Sequence, residues 1–326
     1  MNILYVRSTS NPFYQYIDDA MISCFQTFGY QVSAIETLDH LTEREVKQTA
    51  FLFTTIYQTV DDVFLKHIRD QGIPLVAWVC EGPYYVDDAL KFIHLFDIIF
   101  CAEKNCVAVY HELGHQQVYH LPIGFDPHIY HKHSSNDTST FFSDVCLVGY
   151  PYANRISFVQ RVLKETSSTV QVVGHYWRDV LDIEKRNPRL KVINYWIPSH
   201  KAAAFYRQAN IVLNLYHPYE VKDRLRIPSS SPNARTYEVA ACSAFQLTDQ
   251  YFRDDERTFL HPAIQPFKHE EEGISWLKYY IDHSEERTRK ARVAFDIVHK
   301  NDTFMNRTQQ LITKTNAILR TNPLLT

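Results

Sequence analysis

Glycine is scarce in this chain, 8 among 326 residues, and no G-x-G-x-x-G occurs, so the usual dinucleotide-binding fingerprint is absent. No run of 18 or more apolar residues exists, which excludes a membrane-spanning helix. Lysine and arginine form no block, and 34 basic residues face 37 acidic ones for a formal net charge of −3. Duplex DNA, held through its phosphates, is therefore not a favoured partner. The six cysteines are scattered, and Cys80, Cys101 and Cys146 sit in apolar runs, as buried free thiols do in a reducing compartment. Cys101 and Cys106 lack a second pair at zinc spacing, so no metal site is expected there. His128, His131 and His133 have no carboxylate partners, and Asp254–Asp255 is not a D-x-D motif, so neither group reads as a metal site. MNILYVRSTS lacks a basic region followed by a long apolar stretch, so no signal peptide is expected and the cytoplasm is the expected location.

Hydrophobic residues make up 45% and charged residues 22%, the balance of a globular protein. The length suits two domains, because single cores rarely grow past about 250–300 residues. Aromatic residues reach 14%, a supply that serves cores first and ligand stacking second. Short apolar runs at 2–8, 31–37, 51–57, 73–79, 97–102 and 117–122 alternate with helical stretches such as 14–28 and 61–72. That alternation predicts a parallel sheet of Rossmann type. The polar segment 131–142 reads as a linker. Beyond it the alternation restarts, with strands at 144–149, 169–174, 190–196, 211–216 and 244–249. Helices are expected at 156–166 and 202–209, with a closing pair at 270–282 and 284–320 broken near Asn301. The expected organisation is an N-terminal Rossmann-like domain over 1–135, a second over 140–305, and a helix over 306–326 packing back on the first. Two such domains facing each other place the default ligand site in a central cleft.

The stretch 210–249 carries the most chemistry. A strand leads through a polar loop to a helix beginning near Asn233, whose free N–H groups and partial positive charge suit a diphosphate. Arg235 in its first turn adds a charge-assisted donor. Glu238, one turn on, can accept the hydroxyl protons of a ribose. Alternatively, Arg235 and Glu238 form an i,i+3 surface pair on an amphipathic helix. Glu81 follows a strand at its carboxyl end, where α/β ligand sites lie, and is a candidate general base or a solvated turn residue. His120 is a weaker candidate of the same kind.

NARTYEVAACSAFQLTD (233–249) resembles the R-x-[FY]-E-x-x-A-C-G-x-[FL] signature of the CgeB-like spore-maturation glycosyltransferases, group 1 transferases of GT-B type. DVCLVGYPYANRISFVQRVL (144–163), WVCEGPYYVDD (78–88), HLPIGFDPHIYH (120–131) and the 283–307 helix pair are similar to further family segments, in the same order. The resemblance spans nearly the whole chain. It implies a GT-B fold and a metal-independent transferase. Its substrate would be a nucleotide-diphosphate sugar, with no other cofactor; the acceptor is left open, since a protein, a polysaccharide, a small molecule or a nucleobase would each fit a polar cleft. It implies that Glu238 binds the donor ribose and that Asn233 and Arg235 lie at the diphosphate, with Gly149 and Arg155 across from them. Tyr195, Trp196 and Ile197 would hold the base, and His175 and Trp177 would wall the sugar or base unless the tryptophans simply pack in the core. Asn214 would end a strand near the same place. The family name implies a spore-associated setting. Three positions depart from the pattern: Ser230 stands where retaining relatives have a second glutamate, Ser243 replaces a glycine, and Asp302–Thr303–Phe304 replaces H-T-Y. A scaffold that kept the fold without turnover, and a nucleotide-sugar epimerase, are the alternative functions.

Overall fold

The computed structural model describes residues 2–7, 12–35, 47–56, 62–132, 142–181, 187–217, 223–249 and 263–321. Most of the expected linker, His133 and Asp254–Asp255 lie outside the described residues. The chain divides into two compact units, one comprising residues 1–124, 218–231 and 304–326, the other 125–217 and 232–303.

The first unit is built on β1 (Asn2–Val6), β2 (Gln31–Ile35), β3 (Thr49–Ile56), β4 (Leu75–Val79), β5 (Ile98–Cys101) and β6 (Val118–His120). They form one parallel sheet in the order β2-β1-β3-β4-β5-β6. All five residues of β4 are buried, the pattern of a strand covered on both faces. Helices α1 (Pro12–Thr27), α2 (Asp62–Asp70), α3 (Val86–Ala89) and α4 (Lys104–Glu112) punctuate the strands. The sequence reading misses α4, whose Val107 and Val109 are stiff at χ1 and weaken the helical signal. Phe25 of α1 is fully buried among Tyr5, Phe51 and Phe53, with its ring 5.2 Å from that of Phe53.

The second unit carries β7 (Ser143–Val148), β8 (Val170–Val173), β9 (Leu190–Ile193), β10 (Ala209–Asn214), β11 (Gln246–Thr248) and β12 (Gln265–Pro266). Its sheet is also parallel, in the order β12-β11-β10-β7-β8-β9. Between them lie α5 (Ala153–Glu165), α6 (Trp177–Val180), α7 (Ser199–Arg207) and α8 (Ala234–Ala241), and then α9 (Glu270–Asp282) and α10 (Ser284–Asn301). The strand order reverses at β7 and β10, and α/β ligand sites open at the carboxyl ends of strands flanking such a reversal.

The break expected near Asn301 falls at Asp302–Thr303. There Thr303 bridges Phe125 and the Phe125 N–H donates to the Asp302 carbonyl at 3.3 Å, taking the backbone out of the helix. The helix that follows, α11 (Phe304–Thr321), belongs to the first unit and buries Phe304, Thr308, Leu311, Thr315 and Ile318 along one face. Ser243, at the family's glycine position, has φ 53° just past α8. The left-handed region suits glycine, so serine bears a strain of about 1–2 kcal/mol there.

Replacing Phe25 with alanine removes the ring on which Tyr5, Phe51 and Phe53 converge. The expected cost is about 3–5 kcal/mol, measured as a lower midpoint in urea; a loss below about 1 kcal/mol would mean the cluster closes over the gap.

Candidate functional site

In the second unit the chemistry gathers where β7, β8 and β10 end. Asn214, the last residue of β10, is fully buried. Its amide donates to Thr236 Oγ1 at 3.0 Å and Gln246 Oε1 at 3.1 Å, and its carbonyl oxygen accepts from the Asn233 amide at 3.1 Å. Asn233 caps α8, its side chain accepting from the Thr236 N–H at 3.0 Å, as an N-cap asparagine should. The Tyr216 hydroxyl accepts from the Asn233 N–H at 2.9 Å and meets Thr236 Oγ1 at 2.8 Å. Gln246 Nε2 then donates to the Thr236 carbonyl at 2.9 Å. Every arm of this network ends on the first turn of α8, which fixes the helix start against β10 and β11.

That start carries Arg235 and, one turn later, Glu238. Glu238 is 4% exposed and accepts from the Tyr206 hydroxyl at 3.3 Å, so the pair is not a solvated surface pair. Burial would lower the Arg235 pKa, but Tyr206 and Glu238 beside it more than offset that and raise it above the usual arginine value. Its Nε is buried and has no hydrogen-bond partner among the described residues. A buried N–H donor without an acceptor is costly, unless a ligand supplies one.

Two glycines let the loops meet over this cation. A Cβ at Gly149 would stand 3.0 Å from Arg235 Nη2 and 2.8 Å from Arg155 Nη1; a Cβ at Gly174 would stand 2.4 Å from the Gly149 carbonyl oxygen. Both adopt positive φ, 143° and 144°. Arg155 is 6% exposed, and its guanidinium donates to the carbonyls of Leu215 and Tyr150 at 2.7–2.9 Å. It props the loops that frame Gly149. Trp177 is fully buried, its indole N–H donating to the Gly149 carbonyl at 2.7 Å, so it packs in the core and sets the loop from below. The His175 ring is stacked 6.4 Å from that of Tyr150 and tilted against that of Tyr176 at 5.8 Å. After β9, Tyr195 and Trp196 are 61% and 42% exposed, free for ligand stacking.

In the first unit, Glu81 follows β4, ahead of a cis Gly82–Pro83 peptide. Its half-buried carboxyl accepts from the Tyr14 hydroxyl of α1, and desolvation pushes its pKa up to about 7. Nearby, fully buried Asp18 accepts from Tyr5 at 2.8 Å and Thr55 at 2.7 Å. His120 ends β6, its Nε2 3.2 Å from Ser231 Oγ.

The sequence reading did not single out Glu103. This 2%-exposed residue caps α4, accepting from the Asn105 N–H, and also receives the N–H groups of Ser230 and Ser231 at 3.0–3.1 Å. A carboxylate therefore does lie at Ser230, supplied from 127 residues upstream. A glutamate at an N-cap, where Ser, Thr, Asp or Asn is usual, is the local sign that could have flagged it. Among the described residues, no group of three or more His, Cys, Asp or Glu is placed to hold a metal ion, and no helix is long and apolar enough to cross a membrane.

A family model described as Glycosyl transferase-like matches residues 155–313. Spore protein CgeB of Bacillus subtilis (strain 168) is 31% identical over 303 residues, covering 89% of this chain and 91% of that protein. Among solved structures, sucrose-phosphate synthase of Thermosynechococcus elongatus superposes with a TM-score of 0.67 at 9% identity, covering 99% of this chain and 100% of that one. HepE of Anabaena in complex with UDP-glucose gives 0.68 at 13% identity, covering 97% and 100%. An alpha-glucosyltransferase in complex with UDP and a 13-mer DNA containing a HMU base gives 0.68 at 12% identity, covering 96% and 98%. What these three structures share with the chain is the GT-B fold.

Because desolvation raises the Glu81 pKa, the fold favours its protonated form. The resulting penalty is absent below the ordinary value of 4.5 and complete above about 7. Glu81→Gln keeps an oxygen for Tyr14 and removes the titration. The variant should match the wild type in denaturant stability at pH 4 and exceed it at pH 8; equal stability at both would show that Glu81 is not desolvated.

Proposed function

The chain belongs to the CgeB-like glycosyltransferase family, and on that premise we propose that it moves a sugar from a nucleotide-diphosphate donor to an acceptor hydroxyl. The observation that carries this reading is Arg235, a half-buried cation whose buried Nε has no hydrogen-bond partner among the described residues, beside Gly149 at the capped start of α8. A diphosphate supplies the missing acceptor, and the partial positive charge of the helix start adds to its attraction. Glu238 takes the ribose hydroxyls, with Asn233 at the phosphates. Tyr195, Trp196 and His175 offer ring faces to the base and sugar. HepE and the alpha-glucosyltransferase were solved with UDP-glucose and UDP, which makes a UDP-hexose the first donor to try.

Breaking the sugar–phosphate bond leaves negative charge on the departing diphosphate. Arg235 and the helix start are already in place to meet it, so transfer needs no divalent cation. On the acceptor side, Glu81 is the candidate base that takes the hydroxyl proton as the new glycosidic bond forms. A pKa near 7 suits that task, because the carboxylate is then both present and basic enough. The acceptor is a protein, a polysaccharide or a small molecule, and the relative's name supports a spore-associated setting.

A UDP-sugar at a hundred times its dissociation constant should add about 2.7 kcal/mol, seen as a higher unfolding midpoint with or without magnesium. Glu238→Ala should abolish that shift, starting from a lower unliganded midpoint because the buried Tyr206 hydroxyl loses its acceptor. An undiminished shift in the variant would remove Glu238 from the donor site. No shift with any UDP-, GDP-, CDP-, ADP- or dTDP-sugar would point to a scaffold.

If Glu81 is the base, the transfer rate should rise about tenfold per pH unit below its pKa and level off above about 7. In Glu81→Gln the limb should vanish, turnover falling about 100-fold or more with donor affinity kept. A variant with wild-type turnover would end that assignment.

A further inference from the structure

Glu81 is held from two sides, both within the first unit. A turn fixes its backbone, the Glu81 carbonyl accepting from the Tyr84 N–H at 2.9 Å. The next residue, Gly82, packs closely on the start of α4: a Cβ there would stand 3.0 Å from Glu103 Cβ and 3.2 Å from Cys106 Sγ. From the other side, the Tyr14 hydroxyl of α1 donates to Glu81 Oε1. Among the described residues the carboxyl accepts no other hydrogen bond.

Tyr14 reaches Glu81 because α1 is pinned one turn later. Asp18 stands four residues on and so shares a face of the helix with Tyr14. It is fully buried, and its Oδ1 accepts from Tyr5 of β1 at 2.8 Å and from Thr55 of β3 at 2.7 Å. Asp19 beside it pairs with Arg7, just past β1, at 2.7 Å. A helix tied to two neighbouring strands by a buried carboxylate has little freedom to roll, so the Tyr14 ring is delivered to one place.

The titratable groups around Glu81 are Tyr14, with Tyr5 and Asp18 behind it, Cys80 before it in the chain, and Cys101, Cys106 and Glu103 across Gly82. Charge on these groups does not shift Glu81; burial does, pushing it up to about 7. A hydroxyl that donates to a carboxyl binds the ionised form more strongly than the neutral one, so Tyr14 pulls against burial.

We propose that Tyr14 is a positioning residue for the acceptor-side base: its hydroxyl occupies Oε1, leaves Oε2 to receive the proton, and favours the carboxylate over the acid. The inference rests on the reading of Glu81 as that base. Tyr14 acts through Glu81 and takes no proton itself.

The test begins with the full chain free of ligand. NMR of isotope-labelled glutamate carboxyls, with the Glu81 signal identified by its loss in Glu81→Gln, follows that one group from pH 5 to 9.5. Tyr14→Phe keeps the ring and deletes the hydroxyl. Its Glu81 midpoint should rise by about one pH unit, the difference between a charged and a neutral hydrogen bond. A tyrosine that merely packs α1 on the sheet would lower stability in this variant and leave the midpoint in place. Should Tyr14→Phe fail to fold, 3-fluorotyrosine at position 14 keeps the hydroxyl and makes it a stronger donor, and the midpoint should move the opposite way. An unmoved midpoint in Tyr14→Phe, or in the fluorinated protein where the first does not fold, would overturn the proposal.

Turnover then separates this inference from the reading beneath it. With UDP-glucose as donor and water as acceptor, the water oxygen bonds to the sugar, its proton passes to Glu81 and UDP leaves. The acid limb of UDP release should follow the NMR midpoint upward in Tyr14→Phe, lowering the rate about fivefold at pH 7 and sparing it at pH 9.5. A limb that persists in Glu81→Gln would end the base reading, and any part of Tyr14 in transfer with it. A limb lost in Glu81→Gln but unmoved in Tyr14→Phe would remove Tyr14 alone.

Discussion

The three hydrogen bonds of the Asn214 side chain hold the second unit's chemistry together. They join a strand end, a neighbouring strand and a helix cap, and Asn214, Thr236 and Gln246 are buried from solvent. A buried amide left half-satisfied would be worse than an apolar residue, so the network works only complete. Its product is a helix start that cannot drift, and Arg235 gains its meaning from that rigidity. A half-buried guanidinium on a fixed helix start needs little rearrangement to receive an anion.

Carboxylates in the first unit show how surroundings assign roles to one functional group. Asp18 is met by two hydroxyls, Glu103 by backbone N–H groups and serines, and Glu81 by a single tyrosine. The first two have their charge compensated on several sides and serve as fasteners. Glu81 has little besides Tyr14, and desolvation raises it to the range where protons move at neutral pH. Sequence proximity would not separate these roles; the count of donors around each carboxylate does.

Much of the architecture was legible because parallel strands buried on both faces must be apolar runs, and β4, β5, β7 and β10 read that way at once. The donor helix was legible for a different reason: an asparagine cap, an arginine in the first turn and a glutamate one turn later form a local pattern. Contacts between distant parts of the chain left no such trace. Nothing near Glu103 announces that its partners stand 126–128 residues away. Residues 218–231 read as an ordinary loop of the second half, yet they belong to the first unit. Trp177 shows the limit from the other side. Its position after Gly174 leaves a ligand wall and core packing equally open, because whether an indole faces inward or outward depends on the turn beneath it; here it faces the core.

The pairing of Phe125 with Thr303 marks the place where the chain both enters and leaves the second unit. Apart from residues 218–231, that unit is a stretch of sequence inserted within the first, and synthesis delivers the pieces in an awkward order. Six strands of the first sheet emerge early, but α11, whose Phe304 packs edge-on to Trp78 and whose Thr308 meets Met21, comes some 180 residues after β6. Until then the first unit carries an uncovered apolar face, while the second already has everything it needs to close. On the ribosome the later half should finish folding first, and the earlier half should wait, exposed to chaperones, for a single helix to complete it.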